Sequence, residues 1–425
     1  MGRKRKYRLC LLAALAFNLL VLAFFVWRWI QESIPDQIRV NVGQKVEIDY
    51  QLPVTASSIV EDCQAVRVNT QPISENELTL DLSQPFSLQI DEAGRYEVAL
   101  KFMGMTFKNV SVDVVDETRV MPVGVPAGLY IHTKGVMVLG TGKVTDMIGA
   151  VSEPAKTIFK SGDYILDINS TAVRNTSQAQ SLIQSCGGGE ITFNILREGK
   201  EIQLKMNPVE TSENIYKVGI WLRDDTQGIG TITYVDADQQ FGALGHGIAD
   251  VDTGLLIDIS YGMVYRSNIL SVIKGEAGTP GEIVGTIDYQ KSNRIGTISS
   301  NTKCGVFGTL DAGILKYDPE KAVSVAHKQE VKEGEAQILC ALDGETELYN
   351  VAIEKIDYGS NDHKNFVIRI TDDRLLQKTN GILQGMSGSP ILQDGKLVGA
   401  VTHVLVNDPT RGYGIFIENM LDATE

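Results

Sequence analysis

Hydrophobic and polar residues alternate along much of this chain of 425 residues, for example over residues 38–52 and 95–115. Alternation with a period of two predicts strands that bury one face. Amphipathic helical spacing is confined to short stretches, of which Ser177 to Ser185 is the clearest, and a final short helix is expected near Glu418 to Ala423. The pattern therefore predicts a mainly β protein with many turns, which agrees with its 41 glycines.

The N-terminus departs from this pattern, because Leu9 to Trp27 is an almost uninterrupted apolar run of 19 residues. A helix of that length rises about 28 Å, close to the hydrocarbon thickness of a bilayer. Five of the first eight residues are basic and none is acidic, which favours a cytoplasmic N-terminus. We predict a basic tail and a retained transmembrane anchor over residues 1–31, rather than a cleaved signal peptide, because no small-residue cleavage site follows the run. Either alternative exports residues 32–425.

The exported part divides into three predicted domains. Residues 36–118 alternate throughout, which predicts a small β domain, and we expect it to be a spacer or docking domain because it contains no catalytic constellation. Pro122 and Pro126 mark the boundary that follows it. Residues 210–425 contain ten or more short strand-like runs with glycine turns, a pattern that suits two packed β-barrels.

Residues 122–208 have the pattern of a PDZ domain. A Gly162-Asp163 turn leads into a strand that ends at Asn169, and an amphipathic helix and a hairpin follow. PDZ domains bind an extended peptide as an added strand at a sheet edge. The alternative is a PDZ fold that only packs against its neighbours. The predicted groove strand consists of Val136, Met137, Val138 and Leu139.

The most informative motif is Gly385-Met386-Ser387-Gly388, which an apolar strand, a turn and a second apolar strand follow. Trypsin-like double-barrel proteases present their nucleophile in this way, because glycines let the backbone turn sharply and expose the serine hydroxyl. The N–H groups of Gly385 and Ser387 can then converge on the oxygen of a tetrahedral intermediate as an oxyanion hole. The alternative is a glycine-rich hairpin turn without chemistry.

A serine nucleophile needs a general base, and the chain has five histidines. His246 follows an apolar strand and lies between Gly245 and Gly247, so a turn presents its side chain. Histidine before serine is also the chain order of trypsin-like proteases. We therefore predict His246 as the base. His403, in the strand after the nucleophile hairpin, is the alternative, although its position suits lining the cleft or packing better.

The third member of a catalytic triad is a carboxylate that fixes the tautomer of the imidazole. Asp372 and Asp373 form an acidic pair at the end of an alternating strand. Asp250 is an alternative, because it lies close to His246 in the sequence. Spacing alone does not choose among these three residues.

Three long stretches of the chain resemble the stage IV sporulation protein B peptidases, which are serine proteases of endospore-forming Firmicutes. The resemblance covers nearly the whole chain, from membrane anchor through PDZ domain to peptidase, and it implies that His246, Asp372 and Ser387 form the triad. The short spacing between Asp372 and Ser387 departs from the usual trypsin layout, in which the acid lies much further upstream. The role of Asp372 thus depends on the resemblance alone. The stretches are FGALGHGIAD (241–250), IRITDDRLLQKTNGILQGMSGSPI (368–391) and VTHVLVNDPTRGYGIFIEN (401–419).

The resemblance also implies a biological setting. Such peptidases are made in the forespore, are exported into the space between the two spore membranes and cleave themselves near the N-terminal side. They cut a membrane-bound regulator, which releases an intramembrane protease and leads to activation of a late sigma factor. The expected function is that of a membrane-anchored serine endopeptidase with a PDZ module. A catalytically inactive PDZ scaffold at a membrane is the alternative.

Composition excludes other classes of function. The net charge is −14 despite the basic N-terminus, so the body of the protein is a poor nucleic-acid binder and protein or peptide partners are expected. The Cys and His residues lack ligand spacing, and no metal site or organic cofactor is predicted. The five cysteines are expected mainly as buried free thiols, with a bridge between Cys304 and Cys340 as the alternative.

Overall fold

The structure is a computed structural model that describes residues 3–34, 36–49, 51–59, 65–73, 77–102, 104–360 and 363–424. The chain divides into two compact units. The first contains residues 1–118, 325–332 and 357–361, and the second contains residues 119–324, 333–356 and 362–425. Both units are built mainly of strands, which confirms the fold class that the alternating pattern predicts.

The first unit begins with a long helix, α1 (Arg3–Ser33). Its segment Leu11–Arg28 has a mean hydropathy of 2.1 and buries none of its residues in the protein. This helix is therefore long and apolar enough to span a membrane, although a signal sequence has the same properties.

Nine strands of the first unit lie within the predicted small β domain. They form a five-stranded sheet in the order β1-β9-β8-β3-β6 and a four-stranded sheet in the order β2-β7-β4-β5. The pair β1 and β9 is parallel, and the other pairs are antiparallel. Leu52, Leu100 and Val110 are among its most buried residues. The strands are β1 (Gln37–Asn41), β2 (Val46–Ile48), β3 (Thr55–Ile59), β4 (Val66–Val68), β5 (Gln71–Pro72), β6 (Glu77–Asp81), β7 (Phe86–Ile90), β8 (Gly94–Phe102) and β9 (Met105–Val115).

The second unit opens with sixteen strands and one helix that alternate with short turns. They are β10 (Arg119–Thr141), β11 (Val144–Thr145), β12 (Val151–Ser152), β13 (Tyr164–Ile168), β14 (Thr171–Ala172), α2 (Thr176–Ser185), β15 (Ile191–Arg197), β16 (Lys200–Met206), β17 (Val209–Ser212), β18 (Ile215–Lys217), β19 (Ile220–Val235), β20 (Gln240–Ala243), β21 (Ile259–Ile273), β22 (Gly281–Ile287), β23 (Arg294–Thr302), β24 (Gly305–Leu310) and β25 (Val323–Ser324).

Six of these strands close into a first barrel. β10, β19, β20, β24, β23 and β21 follow one another in the sheet, and β10 also pairs with β21. Ala127, Leu129 and Ile131 of β10 face the core and are at most 2% exposed, because alternate residues of a strand point to the same side. The same sheet continues from β10 through β13 to β15 and β16. The predicted PDZ and peptidase regions therefore share one sheet.

Six of the remaining strands of the second unit form a closed barrel in the order β26-β27-β28-β32-β31-β30, whereas β29 pairs with β22. Ile338, Val351, Ile368, Val401 and Ile415 are among its buried side chains, each at most 1% exposed. The two barrels confirm the predicted double-barrel architecture. The elements are β26 (Gly334–Ala341), β27 (Thr346–Ile356), β28 (Phe366–Ile370), α3 (Asp373–Thr379), β29 (Leu383–Gln384), β30 (Pro390–Gln393), β31 (Lys396–Leu405), β32 (Asp408–Phe416) and α4 (Ile417–Asp422).

The predicted groove strand, residues 136–139, does not lie at a sheet edge. Met137 pairs with Tyr164 of β13 on one side and with Arg223 of β19 on the other. The side chains of the first three residues of this strand are 0% exposed. A peptide could be added here only by displacing a neighbouring strand. The structure therefore places Val136, Met137, Val138 and Leu139 inside the sheet rather than along an open groove.

Candidate active site

Ser387 lies on the turn between β29 and β30, where two glycines adopt conformations that other residues rarely adopt. The angle φ is +99° at Gly385 and +96° at Gly388. A Cβ atom on Gly388 would lie 2.1 Å from the carbonyl oxygen of Thr231, closer than any side chain can approach. Only glycine fits this position, and the turn that it permits leaves Ser387 half-buried rather than sealed in the core.

Thr231 of β19 connects this turn to the predicted histidine. Its N–H donates to the carbonyl oxygen of Ser387 at 3.0 Å. Its own carbonyl oxygen accepts a hydrogen bond of 3.1 Å from the N–H of Leu244, two residues before His246. The structure therefore brings Ser387 and His246 onto neighbouring segments, although they lie far apart in the sequence.

The side chains of Ser387 and His246 are each held by a main-chain carbonyl group. The Ser387 hydroxyl donates to the carbonyl oxygen of Thr402 in β31. Nδ1 of His246 lies 2.9 Å from the carbonyl oxygen of Gly247, which suits an imidazole that carries its proton on Nδ1. Nε2 is then the nitrogen that can accept a proton. No hydrogen bond joins the two side chains within the described residues, and such bonds often form only when substrate binds.

The ring of His246 packs against the ring of His403, with centroids 4.6 Å apart and planes 36° apart. His403 is exposed, whereas His246 is half-buried. Burial lowers the pKa of His246, because the charged imidazolium loses contact with water, and the hydrogen bond to Gly247 opposes this shift in part. The structure therefore favours a neutral imidazole, the form that can act as a general base.

We expect the acidic limb of the pH profile of kcat/KM to have its midpoint below 6.5, the ordinary pKa of histidine. Because its pKa is lowered, His246 stays neutral, and able to accept a proton, at lower pH than a free histidine does. Rates of peptide hydrolysis measured from about pH 4.5 to pH 8 give this midpoint. The His403→Ala variant should keep the same limb. A midpoint at or above 6.5 would contradict the assignment.

Asp372, the predicted third member of the triad, caps the N-terminus of α3 with its carboxylate. Its carboxylate accepts hydrogen bonds from the N–H of Arg374 at 2.9 Å and from the N–H of Asn350 at 3.2 Å. The Arg374 guanidinium forms two further bonds to it and holds the pKa of Asp372 at about 2. The carboxylate is thus charged at neutral pH. The structure does not bring it to His246, since none of its described contacts is with that residue.

The two alternative acids also lack a described contact with His246. Asp250 is buried and forms an ion pair with Arg223, and it also accepts hydrogen bonds from the N–H groups of Asp252 and Thr253. Asp373 is exposed in the first turn of α3. Neither residue has a described hydrogen bond to the imidazole.

Three buried or half-buried polar residues that the sequence did not single out hold the site together: Thr231, Asn301 and Thr402. Asn301 of β23 fixes the loop after His246, because its Oδ1 accepts from the N–H of Ile248 at 2.8 Å. Its Nδ2 donates to the carbonyl oxygens of Ile248 and Ile257. Each contact joins segments that are distant in the sequence, so no local motif marks these residues.

The described residues show no group of three or more His, Cys, Asp or Glu side chains that could hold a metal ion. Cys186, Cys304 and Cys340 form no disulfide within the described residues, so the alternative bridge between Cys304 and Cys340 is not formed. Cys63 lies outside the described residues.

The family model of the SpoIVB peptidase S55 matches residues 214–421, which contain His246, Asp372 and Ser387. The search of curated proteins found no match. Among solved structures, the HtrA-type protease AlgW with a decapeptide is similar at a TM-score of 0.29 and 12% identity, over 71% of this chain and 64% of that chain. A variant of AlgW with a decapeptide has a TM-score of 0.29 and 10% identity, over 72% and 63%.

The chain thus spans slightly less than two thirds of the length of these two structures. The matched residues run from just before β18 to α4 and contain the serine turn and the histidine loop described above. Residues 214–421, slightly less than half of this chain, therefore match the SpoIVB peptidase S55 family.

Proposed function

We propose that this chain is a membrane-anchored serine endopeptidase with Ser387 as nucleophile and His246 as general base. The observation that carries the proposal is the pair of Thr231 main-chain bonds that hold the Ser387 turn beside the strand leading to His246. The Ser387 oxygen attacks the scissile carbonyl, and Nε2 of His246 takes its proton and gives it to the leaving amine. Water then hydrolyses the acyl-enzyme by the same route. The N–H groups of Gly385 and Ser387 stabilise the charged oxygen of the tetrahedral intermediates.

A fluorophosphonate probe tests this proposal. We expect it to modify the purified full-length chain at Ser387, and mass spectrometry of the digested protein locates the label. Treatment of the His246→Ala variant with the same probe should give almost no label, because the Ser387 hydroxyl then lacks a base. Absence of label in the wild-type chain would favour the inactive scaffold instead.

We propose Asp372 as the carboxylate that orients His246. The family resemblance supports this role, and the low pKa of Asp372 keeps the group charged. Nδ1 of His246 would exchange the carbonyl oxygen of Gly247 for this carboxylate. Because Arg374 and Asn350 hold Asp372 in the described structure, the exchange requires movement of the imidazole or of the segment at the start of α3.

Asp372→Asn is expected to lower kcat by about four orders of magnitude, the cost of the corresponding change in a trypsin-like triad. The fold should persist, because asparagine also caps helix N-termini well. Steady-state peptide hydrolysis and thermal unfolding check both statements. Asp373→Asn is the matched control and should stay close to wild type. Should Asp373→Asn be the inactive variant instead, the acid has been misassigned by one residue.

The biological role that we propose follows the family resemblance. The chain is exported from the forespore with its N-terminus in the cytoplasm, is held at the membrane by α1 and lies in the space between the two spore membranes. It cleaves itself and a membrane-bound regulator of an intramembrane protease, which leads to activation of a late sigma factor. The family match supports a protein substrate, and the apolar length of α1 supports the anchor.

We also propose that the predicted PDZ region delivers peptide through a groove between β19 and α2. Residues 220–225 of β19 pair with β10 along one edge, and no strand of the described chain pairs with their other edge. α2 runs antiparallel beside that free edge. Its Thr176 N–H donates to the Asp224 carboxylate at 3.0 Å, and the Gln184 side chain bonds both main-chain groups of Tyr216. This strand and helix supply the two walls that peptide binding by strand addition requires.

Filling this groove should impair self-cleavage but not hydrolysis of a short peptide. Gln180 is exposed and lies one helical turn from both Thr176 and Gln184, so Gln180→Trp should obstruct the space beside β19. Ser181→Trp, one position along and also exposed, is the matched control. Both activities are measured on one preparation of each variant. Equal loss of both activities in Gln180→Trp would mean that this region is structural, and the delivery role would be withdrawn.

A further inference from the structure

Thr231 contacts the nucleophile turn through its side chain as well as through its main-chain bond to Ser387. It is 1% exposed, and its hydroxyl Oγ1 donates to the carbonyl oxygen of Gly385 at 2.8 Å. Its N–H donates to the carbonyl oxygen of Ser387 at 3.0 Å. One residue of the first barrel therefore holds the carbonyl groups of Gly385 and Ser387, the two neighbours of Met386. The N–H of Met386 donates to the carbonyl oxygen of Leu383.

We propose that Thr231 is a positioning residue whose hydroxyl fixes the oxyanion hole. Gly385 has φ of +99° and no side chain, so its peptide groups can rotate at little cost unless something holds them. The bond from Thr231 Oγ1 fixes the carbonyl of Gly385, and the bond from the Thr231 N–H fixes that of Ser387. The fixed carbonyls belong to the peptide groups that carry the N–H groups of Met386 and Gly388. The peptide group with the Ser387 N–H lies between these two fixed groups, and the one with the Gly385 N–H adjoins the first, so fixing both carbonyls limits the rotation of both oxyanion-hole donors. The inference rests on the oxyanion-hole roles proposed above for Gly385 and Ser387.

Thr233 provides a matched control that separates the effect of the hydroxyl from that of the shape of the side chain. It lies two residues further along β19 and is 0% exposed. Its Oγ1 has no hydrogen-bond partner among the described residues, whereas that of Thr231 has the Gly385 carbonyl. Valine at position 231 would keep the shape of threonine but leave the Gly385 carbonyl without this donor, and a buried carbonyl group without a partner is unfavourable.

The experiment compares Thr231→Val with Thr233→Val in the full-length chain. The readouts are the rate of phosphonylation at saturating fluorophosphonate, the concentration for half-maximal rate and the thermal unfolding midpoint. Loss of one oxyanion-hole donor costs about 10²- to 10³-fold in kcat. Thr231 positions the oxyanion-hole donors but does not itself donate to the charged oxygen. We therefore expect a smaller fall, of about 10- to 100-fold, in the saturating rate. The half-maximal concentration should stay within about twofold, since ground-state binding is unchanged.

The pair Thr231→Ser and Thr231→Ala covers the case in which Thr231→Val does not fold. These two variants differ only in the hydroxyl, so Thr231→Ser should recover most of the rate that Thr231→Ala loses. Thr233→Val should react at the wild-type rate.

The inference is overturned if Thr231→Ser and Thr231→Ala react equally, if Thr231→Val matches Thr233→Val, or if the loss appears only in the half-maximal concentration. Labelling of the wild-type chain at a residue other than Ser387 would overturn the proposed function as well. Normal labelling at Ser387 without a Thr231 effect would overturn this inference alone.

Discussion

Ser387→Ala is expected to reduce peptide hydrolysis by about six orders of magnitude, the loss measured when a serine protease loses its nucleophile. The remaining turnover comes from the oxyanion hole and from substrate binding. Self-cleavage of the purified chain should cease, and initial rates with a fluorogenic peptide should fall to the detection limit. The fold should persist, because a single oxygen atom is removed from a half-buried turn.

Ser389→Ala is the matched control for this variant. Ser389 lies two residues away, is 0% exposed, and its hydroxyl has no hydrogen-bond partner among the described residues. Its replacement removes a buried oxygen atom from the same turn without removing a bond, so activity should remain close to wild type. Self-cleavage of Ser387→Ala at the wild-type rate would exclude Ser387 as the nucleophile.

His246→Ala is expected to be as damaging as Ser387→Ala, at about 10⁶-fold in kcat. The two residues act as one unit, because the hydroxyl is a poor nucleophile without its base. The double variant should therefore be no slower than either single variant. Parallel measurements of kcat for the three proteins check this non-additivity. A double variant that is slower by the product of the two single losses would show that the residues act independently.

The neighbouring imidazole provides the comparison. His403 packs against His246 but is exposed, and His403→Ala should stay within about tenfold of the wild-type rate because the base is retained. Inactivity of His403→Ala together with an active His246→Ala would reverse the two roles. The labelling experiment with the fluorophosphonate probe would then give the same reversal.

The sequence was sufficient for the features that depend on local pattern. Alternating residues predicted strands, and the glycines around Ser387 and His246 predicted turns, because a sharp turn needs positive φ or the absence of a side chain. α3 was missed, since a helix of seven residues is too short to show a period of 3.6. Asp372 was consequently interpreted as the end of a strand, whereas it caps that helix.

The features that depend on strand neighbours could not be predicted in this way. Residues 136–139 have the pattern of a strand, but β19, which follows about 80 residues later, pairs with them and becomes the strand beside α2. Thr231 and Asn301 bind segments that are remote in the sequence. A polar residue in a strand carries no local sign of such a partner, so only the folded chain identifies it.

The long strand β10 sets the smallest fragment of this protein that could still be active. Its residues Ala127–Thr133 pair with β21 and, over Ala127–His132, with β19, so they close the first barrel. A fragment that began with the family-matched region at residue 214 would lack this strand and would expose the edges of β19 and β21 together with the core around Ile131. We therefore expect a cut that removes residues 127–133 with everything before them to destroy activity. The region that precedes the catalytic residues is thus part of the barrel that carries them, and not a detachable extension.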